Sequence, residues 1–251
     1  TGALAIIAMA ARETGLSYTR VQRELARVLF TLRAFADYIH DGSWRVVSAT
    51  PAGGTGAFTA SLQRTLLPVG PVAVFGASNF PLAYSVAGGD TASAFAAGCP
   101  VVVKGHPAHP ATGELVARCI AFAAKATGVP SGAFSFLQSG GPDDFALGTA
   151  LVRHPSVRAV GFTGSGKGGN ALRVAIETGR ADGPIPLFAE MGAANAVYIS
   201  AASATGPKAS AIASNLVASI LDSSGQHCTC ATTIFIAGST SLPGTPHKFI
   251  D

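Results

Sequence analysis

Charged residues are scarce in this sequence. Only 12% of its 251 residues are Asp, Glu, Lys or Arg, against about 25% in an average soluble domain. Mean hydropathy is correspondingly high, at +0.40, yet no run of about 18 uncharged apolar residues occurs, so we expect no membrane-spanning helix. The apolar segment 3–10 is short, lacks a basic flank and leads directly into Arg12 and Glu13. It indicates the end of a helix rather than a signal peptide, and a soluble chain.

Paired cysteines and clustered basic residues are also lacking. The four cysteines, Cys99, Cys119, Cys228 and Cys230, show no framework spacing, which favours a reducing, cytoplasmic location. Cys228 and Cys230 are too close in sequence for the usual zinc knuckle, so we expect no metal site. The net charge of +4 is scattered, without the basic stripe of a nucleic-acid-binding protein. A weak positive field suits anionic small molecules such as a phosphate-bearing cofactor.

The first third of the chain is helical by its pattern. Apolar residues from Val21 to Ile39 recur at helical spacing, which predicts one long helix over about 17–40 with arginines on its other face. Residues 48–62 are rich in Ser, Ala, Gly and Thr and indicate a connector. We therefore assign residues 1–67 to an N-terminal helical segment and connector.

From Pro68 onward, short apolar runs alternate with helical stretches. Candidate strands are Val72–Phe75, Val101–Val103, Phe134–Leu137, Val157–Phe162 and Pro186–Phe188, with helices near 80–97, 111–126, 143–152 and 167–178. Continuous apolar strands between helices predict an α/β fold, a doubly wound parallel sheet covered on both faces. We expect this Rossmann-like, dinucleotide-binding domain to span 68–189. A helix near 206–221 and a strand at Thr233–Ala237 would begin a second α/β lobe, a partial catalytic domain, over 190–251.

A glycine-rich segment, Gly164-Ser165-Gly166-Lys167-Gly168-Gly169, follows the fourth candidate strand. It matches G-x-G-x-x-G, but that fingerprint belongs after the first strand of its unit. It is also close to a phosphate loop, although Gly168 stands where that loop needs a hydroxyl for Mg²⁺. Two interpretations remain open: a plain glycine turn, and a helix N-terminus whose N–H groups bind a phosphate.

Four further positions carry candidate chemistry. Asn79 follows the first strand, where it would cap a helix or donate to an oxyanion. Lys104 ends the second strand, either in solvent or bound to a ribose or its phosphate. Glu190 alone would more often be a surface carboxylate than a base. Cys228 alone would more often be a small buried residue than a nucleophile.

Taken together and in order, these segments resemble the aldehyde dehydrogenase superfamily. The matching segments are Ser78-Asn79-Phe80-Pro81, Lys104, Phe162-Thr163-Gly164-Ser165 with Gly169, Glu190-Met191-Gly192, and Gly225-Gln226-x-Cys228. The stretch from Gly70 to Pro110 is most similar to the NADP-dependent branch that acts on 2-oxoglutarate semialdehyde (2,5-dioxopentanoate). The resemblance runs from about residue 12 to the end of the chain.

The resemblance implies a role for each matching residue. Cys228 would attack the aldehyde, Asn79 would bind the oxyanion with the Cys228 N–H, and Glu190 would activate the water that hydrolyses the thioester. The cofactor-binding residues would be Lys104, Gly164, Ser165, Ala77, Ser78, His106 and Gly169. NAD-preferring relatives tend to have a Glu three residues after the lysine. Pro107 stands there instead, so we expect NADP, with NAD possible.

This sequence departs from the family pattern beside the nucleophile. Close relatives continue Thr-Asn-Pro-Gly after the cysteine, where this chain has Thr229-Cys230-Ala231-Thr232, and His227 replaces a common aromatic residue. Cys230 would compete as a thiol or form a disulfide. The resemblance also implies longer, homo-oligomeric relatives, with more of the catalytic lobe than this chain contains.

Three hypotheses follow from the sequence. The first is NADP-linked oxidation of a small aldehyde, with 2-oxoglutarate semialdehyde preferred over another short aldehyde acid or a fatty aldehyde. The second is an incomplete fragment that binds NADP without turnover. The third, disfavoured by Gly168, is a phosphate-loop nucleotide-binding protein. None of them involves a membrane or a nucleic acid.

Overall fold

The computed structural model of the protein describes residues 2–45, 48–50, 61–138 and 144–237. The chain divides into two compact units, Thr1–Glu190 and Met191–Asp251. Within the described ranges, no helix combines the length and the apolar character needed to cross a membrane.

Two helices open the first unit: α1 (Gly2–Thr14) and α2 (Tyr18–Asp41). Ser17 caps α2 by accepting from the Arg20 N–H, and Gly42 ends it in the left-handed region, as helix C-termini favour. The apolar stripe of α2 is buried at Val21 and Val28. The sequence therefore predicted this helix within one residue at each end.

A connector was predicted over residues 48–62, but both ends of it lie in strands. β1 (Ser48–Thr50) pairs antiparallel with β2 (Leu62–Arg64). Residues 51–60 lie outside the described ranges. Three-residue strands give too short an alternation to be recognised in a Gly- and Thr-rich segment.

The core of the first unit is a five-stranded parallel sheet. Its strands are β3 (Val72–Phe75), β4 (Val101–Lys104), β5 (Phe134–Leu137), β6 (Ala159–Thr163) and β7 (Leu187–Glu190). They are ordered β5-β4-β3-β6-β7, so the chain crosses from one side of β3 to the other after β5. This is the strand order of a dinucleotide-binding sheet, and it confirms the predicted fold class. β3 and β6, next to each other at this reversal, are buried along their whole length.

Helices cover both faces of the sheet. They are α3 (Gly89–Ala96), α4 (Pro110–Ala126), α5 (Asp144–Arg153) and α6 (Gly166–Gly179). α2 packs on α3 and α1 on α4, whereas α5 packs on α6. The N-terminal helices thus form part of the layer on one face of the sheet, and their apolar residues join its core.

The helix predicted near 80–97 is shorter than expected. Residues 80–88 form successive turns, and α3 begins at Gly89. Gly88 and Gly89 disfavour a helix interior, and the main chain of these turns is bound by a side chain from α2, as described below. A contact between residues so far apart in the chain cannot be predicted from local sequence.

The second unit contains β8 (Asn195–Ile199), α7 (Ala201–Thr205), α8 (Ala209–Leu221) and β9 (Ala231–Ile236). β8 and β9 are parallel and adjacent, with α7 and α8 in the crossover between them. The strand predicted at Thr233–Ala237 corresponds to β9. The sequence analysis missed β8, although its side chains alternate between more and less buried positions.

Candidate active site

A cavity of about 180 Å³ opens at the carboxyl ends of β3, β4 and β6. Its position is the topological switch point, where open α/β sheets bind their ligands. The strand register pairs Phe75 with both Lys104 and Phe162, so these three side chains form a row along one face of the sheet. Gly148 and Thr149 of α5 and Ala171 and Leu172 of α6 close the cavity opposite that row.

Lys104 gives this cavity its charge. Lys104 is the last residue of β4 and is only 6% exposed. Lysine is rarely buried to this extent unless its charge has a partner. His106 lies at the same edge and also lines the cavity. A buried ammonium group at the carboxyl end of a strand selects for an anionic or hydroxyl-rich ligand.

The glycine-rich segment supplies the other wall. Gly164, Ser165 and Gly168 all line the cavity at the N-terminus of α6. Ser165 caps this helix: its Oγ accepts from the Gly168 N–H at 3.1 Å, so this N–H group is already bonded. The positive end of the α6 dipole nevertheless faces the cavity. Lys104 and the helix terminus together fit a phosphate-bearing cofactor.

The loop that carries Asn79 is held by contacts from two distant helices. Nε2 of His109, at the N-terminus of α4, lies 2.9 Å from the carbonyl oxygen of Ala77. Glu24 of α2 accepts from the N–H groups of Leu82 and Ala83, each at 2.8 Å. Since His109 and Glu24 are both buried, these bonds fix the main chain on both sides of Asn79.

Glu13 of α1 binds the start of α4, the helix that follows Lys104 and His106. Its carboxylate accepts from the N–H groups of Ala111 and Thr112 and from the Thr112 hydroxyl, at 2.6 to 2.9 Å. These groups belong to the first turn of α4, where helix N–H groups have no partner within the helix. A carboxylate at this terminus also interacts favourably with the helix dipole. α1 therefore fixes the helix that follows the Lys104–His109 turn.

Glu190 ends β7, on the opposite face of the sheet from the cavity row. It pairs in register with Thr163, the residue after Phe162, and successive side chains of a strand alternate in direction. Glu190 is exposed, and its carbonyl accepts from the Gly164 N–H at 3.0 Å. The last residue of β7 is thus tied to the first glycine of the glycine-rich segment.

Asp90, in the first turn of α3, lies close to Glu190. The Thr163 hydroxyl is 3.3 Å from Asp90 Oδ2. Burial raises the pKa of Asp90, the Thr163 hydrogen bond lowers it, and the negative charge of Glu190 raises it; the net direction is upward. The carboxyl groups of Asp90 and Glu190 therefore lie at the same end of the sheet.

Cys228 lies in a turn of the second unit. The Cys230 N–H donates to the His227 carbonyl at 3.1 Å, which places Cys228 at the second position of a β-turn. Cys228 is exposed, whereas Cys230 is half-buried with its Sγ 3.8 Å from the Ile220 carbonyl oxygen. Both cysteines are free thiols. The Asn195 side chain donates to the Cys228 and Cys230 carbonyls, at 2.6 and 3.1 Å.

Comparison with known proteins identifies the family. The family model for the aldehyde dehydrogenase family matches residues 3–242, almost the whole chain. The chain belongs to the aldehyde dehydrogenase family. This confirms the resemblance found in the sequence.

Two similar proteins are named for the same substrate. Alpha-ketoglutaric semialdehyde dehydrogenase 2 of Azospirillum brasilense is 49% identical over 227 residues, which are 90% of this chain and 42% of that protein. Alpha-ketoglutaric semialdehyde dehydrogenase of Acinetobacter baylyi is 45% identical over 226 residues, 88% of this chain and 41% of that protein. The chain therefore spans less than half the length of these curated relatives.

Solved structures agree on the fold. An oxidoreductase from Marinobacter aquaeolei superposes with a TM-score of 0.77 at 23% identity, over 98% of this chain and 45% of that chain. An aldehyde dehydrogenase from Brucella melitensis gives a TM-score of 0.76 at 23% identity, over 99% and 47%. This aldehyde dehydrogenase chain thus has the family's mixed α/β architecture.

The structure places the predicted residues in four sets. Lys104, His106, Gly164 and Ser165 line the cavity, as does Gly168, while Gly169 is buried one position further into α6. Ala77, Ser78 and Asn79 occupy the loop after β3. Glu190 ends β7 in the first unit, and Cys228 occupies its turn in the second. The roles of these residues remain predictions.

Several residues that hold these sets in place were not predicted from the sequence. They are Glu13, Glu24, Asp90, His109 and Asn195. Glu24 offered the clearest signal, because it interrupts the apolar stripe between Val21 and Val28, where a surface carboxylate would not be expected. The other four are polar residues whose partners are distant in sequence, which no local pattern reveals.

Proposed function

We propose that the protein oxidises a small aldehyde to the carboxylic acid with NADP, with Cys228 as nucleophile and 2-oxoglutarate semialdehyde as substrate. Family membership and the names of the two relatives support the reaction and the substrate. The observation that carries the cofactor assignment is the cavity at the switch point, lined by Lys104 and the α6 N-terminus. In this proposal the enzyme is cytoplasmic and its full-length form is a homo-oligomer.

In the proposed reaction, the Cys228 thiolate attacks the aldehyde carbon and forms a thiohemiacetal. The Asn79 amide donates to the oxyanion that develops on the substrate oxygen. Bound NADP⁺ would accept the hydride, which leaves a thioester on Cys228. Glu190 then removes a proton from water, the water oxygen attacks the thioester carbon, and the cysteine thiolate leaves as the acid is released.

The preference for NADP rests on residues after Lys104. Pro107 replaces the carboxylate that would bind the 2′-hydroxyl and repel a 2′-phosphate. Lys104 and His106 line the cavity and can interact with a phosphate group. The proposal therefore assigns the 2′-phosphate to the Lys104–His106 edge of the cavity.

Absorbance of NADPH during incubation with 2-oxoglutarate semialdehyde and NADP⁺ tests this function. We expect Cys228→Ser to lose turnover by a factor of about 10³ or more. Cys119→Ser is the matched control, because Cys119 is also an exposed free thiol but lies on α4. Turnover that survives in Cys228→Ser and falls in Cys119→Ser would refute the assignment of the nucleophile.

A second candidate function is NADP binding without turnover. It is supported by a cavity whose lining residues all belong to the first unit. Calorimetry distinguishes the two. Binding of NADP⁺ that Lys104→Met weakens and Lys125→Met does not, without a burst of NADPH, supports this candidate. Repeated turnover rejects it.

A further inference from the structure

The strand register aligns two residues on the face of the sheet opposite the cavity. Thr163 pairs with Glu190 at the carboxyl ends of β6 and β7. Paired residues of adjacent parallel strands project to the same face. The Thr163 hydroxyl bonds to a side chain of α3, so Glu190 belongs to the face that α3 covers.

α3 brings Asp90 against this face at unusually short range. A Cβ placed on Gly161 would lie 3.2 Å from the Cβ of Asp90, closer than side chains ordinarily approach. The absence of a side chain at Gly161 therefore makes room for Asp90. From there, its Oδ2 accepts from Thr163, the in-register neighbour of Glu190, at 3.3 Å.

Burial and two neighbouring groups act on the Asp90 carboxyl. Burial against β6 raises its pKa, the hydroxyl of Thr163 on β6 lowers it, and the carboxylate of Glu190 on β7 raises it. Its position in the first turn of α3 would by itself favour the charged form. A helix-capping role therefore accounts neither for the net upward direction nor for the gap at Gly161.

We propose that the Asp90 and Glu190 carboxyl groups form an electrostatically coupled pair on the α3 face of the sheet, through which Asp90 acts on Glu190, the proposed base. Asp90 is then a positioning residue that acts through Glu190, while Thr163 orients it. The catalytic consequence rests on the proposed function of Glu190. The coupling itself requires only that the first unit is folded.

Carboxyl ¹³C NMR titration tests the coupling on the chain as it exists. In Glu190→Gln, we expect the titration midpoint of Asp90 to move to lower pH, because the neighbouring negative charge is removed. Glu177→Gln is the matched control, since Glu177 is exposed on α6 and pairs with Arg173. An Asp90 midpoint that is the same in wild type and Glu190→Gln overturns the proposal.

A second variant protects the test against loss of folding. Thr163→Val keeps the shape of the strand residue but removes the hydroxyl that favours ionised Asp90. We expect the Asp90 midpoint to move to higher pH in this variant. A midpoint that Thr163→Val leaves unchanged or lowers counts against the pair, whether or not Glu190→Gln folds.

The pH profile of thioester hydrolysis separates a positioning role from a purely structural one. We expect Asp90→Asn to change the position of the inflection in this profile, and Asp90→Glu to restore it. A structural role would instead lower the rate by one factor at all pH values. Coupled titration without turnover would refute the proposed function and keep the pair, whereas turnover with uncoupled titration would refute the pair alone.

Discussion

The Asn195 side-chain amide donates to the carbonyl of Cys228 at 2.6 Å, and so joins the first residue of β8 to the turn that precedes β9. The same nitrogen donates to the Cys230 carbonyl at 3.1 Å. One side chain thus binds two alternate carbonyls of the turn and restricts the main chain that follows the exposed thiol. Orientation of a nucleophile depends on such supporting bonds.

Replacing Asn195 should disturb the thiol more than the fold. In Asn195→Ala, the loss of one exposed and one partly buried hydrogen bond should lower the free energy of unfolding by about 1–2 kcal/mol, and the rate of Cys228 alkylation by iodoacetamide should change. Asn215→Ala on α8 is the matched control, because that amide is exposed. Equal alkylation rates in wild type and Asn195→Ala would exclude a positioning role.

Removal of the Glu24 carboxylate should be strongly destabilising. In Glu24→Ala, the buried N–H groups of Leu82 and Ala83 lose their acceptor, and Arg20 loses its ion pair. We expect a loss of about 3–5 kcal/mol of unfolding free energy in urea denaturation. Glu114→Ala breaks the exposed pair with Arg118 and should cost less than about 0.5 kcal/mol. Similar losses in both variants would contradict this account.

His109 should matter to the loop that carries Asn79. His109→Phe keeps a ring beside His106 but removes the donor to the buried Ala77 carbonyl. We expect the free energy of unfolding to fall by about 1–3 kcal/mol, with faster amide hydrogen exchange in residues 77–84. His40→Phe, at an exposed position near the end of α2, should change neither quantity. If amide exchange in residues 77–84 were the same in His109→Phe as in wild type, His109 would not stabilise this loop.

Two aspartates should give stability opposite dependences on pH. The pKa of Asp90 is raised in the folded state, so its ionisation opposes folding, and its contribution declines as pH rises through that pKa. The pKa of Asp182 is lowered by the Arg180 hydrogen bond, so its contribution is present at neutral pH and disappears as pH falls. The measurement is the midpoint temperature of thermal unfolding across pH 3 to 8, roughly the range where carboxyl groups titrate. In Asp90→Asn this temperature should depend less on pH at the upper end of the range. In Asp182→Asn it should depend less on pH at the lower end. The opposite assignment would contradict the sign of either shift.

Cofactor preference should respond to residue 107. Pro107→Glu restores a carboxylate three residues after Lys104, where it would accept from a 2′-hydroxyl and repel a 2′-phosphate. We expect the ratio of the NADP⁺ to the NAD⁺ binding constant to fall by about tenfold, or roughly 1.4 kcal/mol. Pro107→Gln, which adds similar bulk without charge, separates the electrostatic effect from the loss of proline. A ratio unchanged by Pro107→Glu would place the 2′-phosphate elsewhere.

Much of the fold was predictable because its strands are continuous apolar runs. β3 and β5 were predicted at their observed bounds, and Lys104 was identified because a buried strand does not normally end in a charge. The turns over 80–88 were not predictable, since Glu24, 58 residues earlier, binds their main chain. Local propensity carries no information about a contact of that range.

In the candidate site, too, some residues could be predicted from the sequence and others could not. Lys104, Gly164 and Ser165 could be selected from their places at a strand end and a helix start, and they line one cavity. Asp90 could not, because its significance depends on the register of β6 with β7 and on the gap at Gly161. Sequence order shows neither which strands are neighbours nor which faces meet.

The two N-terminal carboxylates also constrain how the chain folds. Glu13 binds groups 98 and 99 residues later, and Glu24 binds groups 58 and 59 residues later. At about 5–20 residues per second, a ribosome needs roughly 5–20 s to make the partners of Glu13 after α1 emerges. Until then, Ile6, Ile7 and Val21 cannot join the residues of α4 in their shared core. α1 and α2 can therefore dock on these later segments only after the segments have been synthesised.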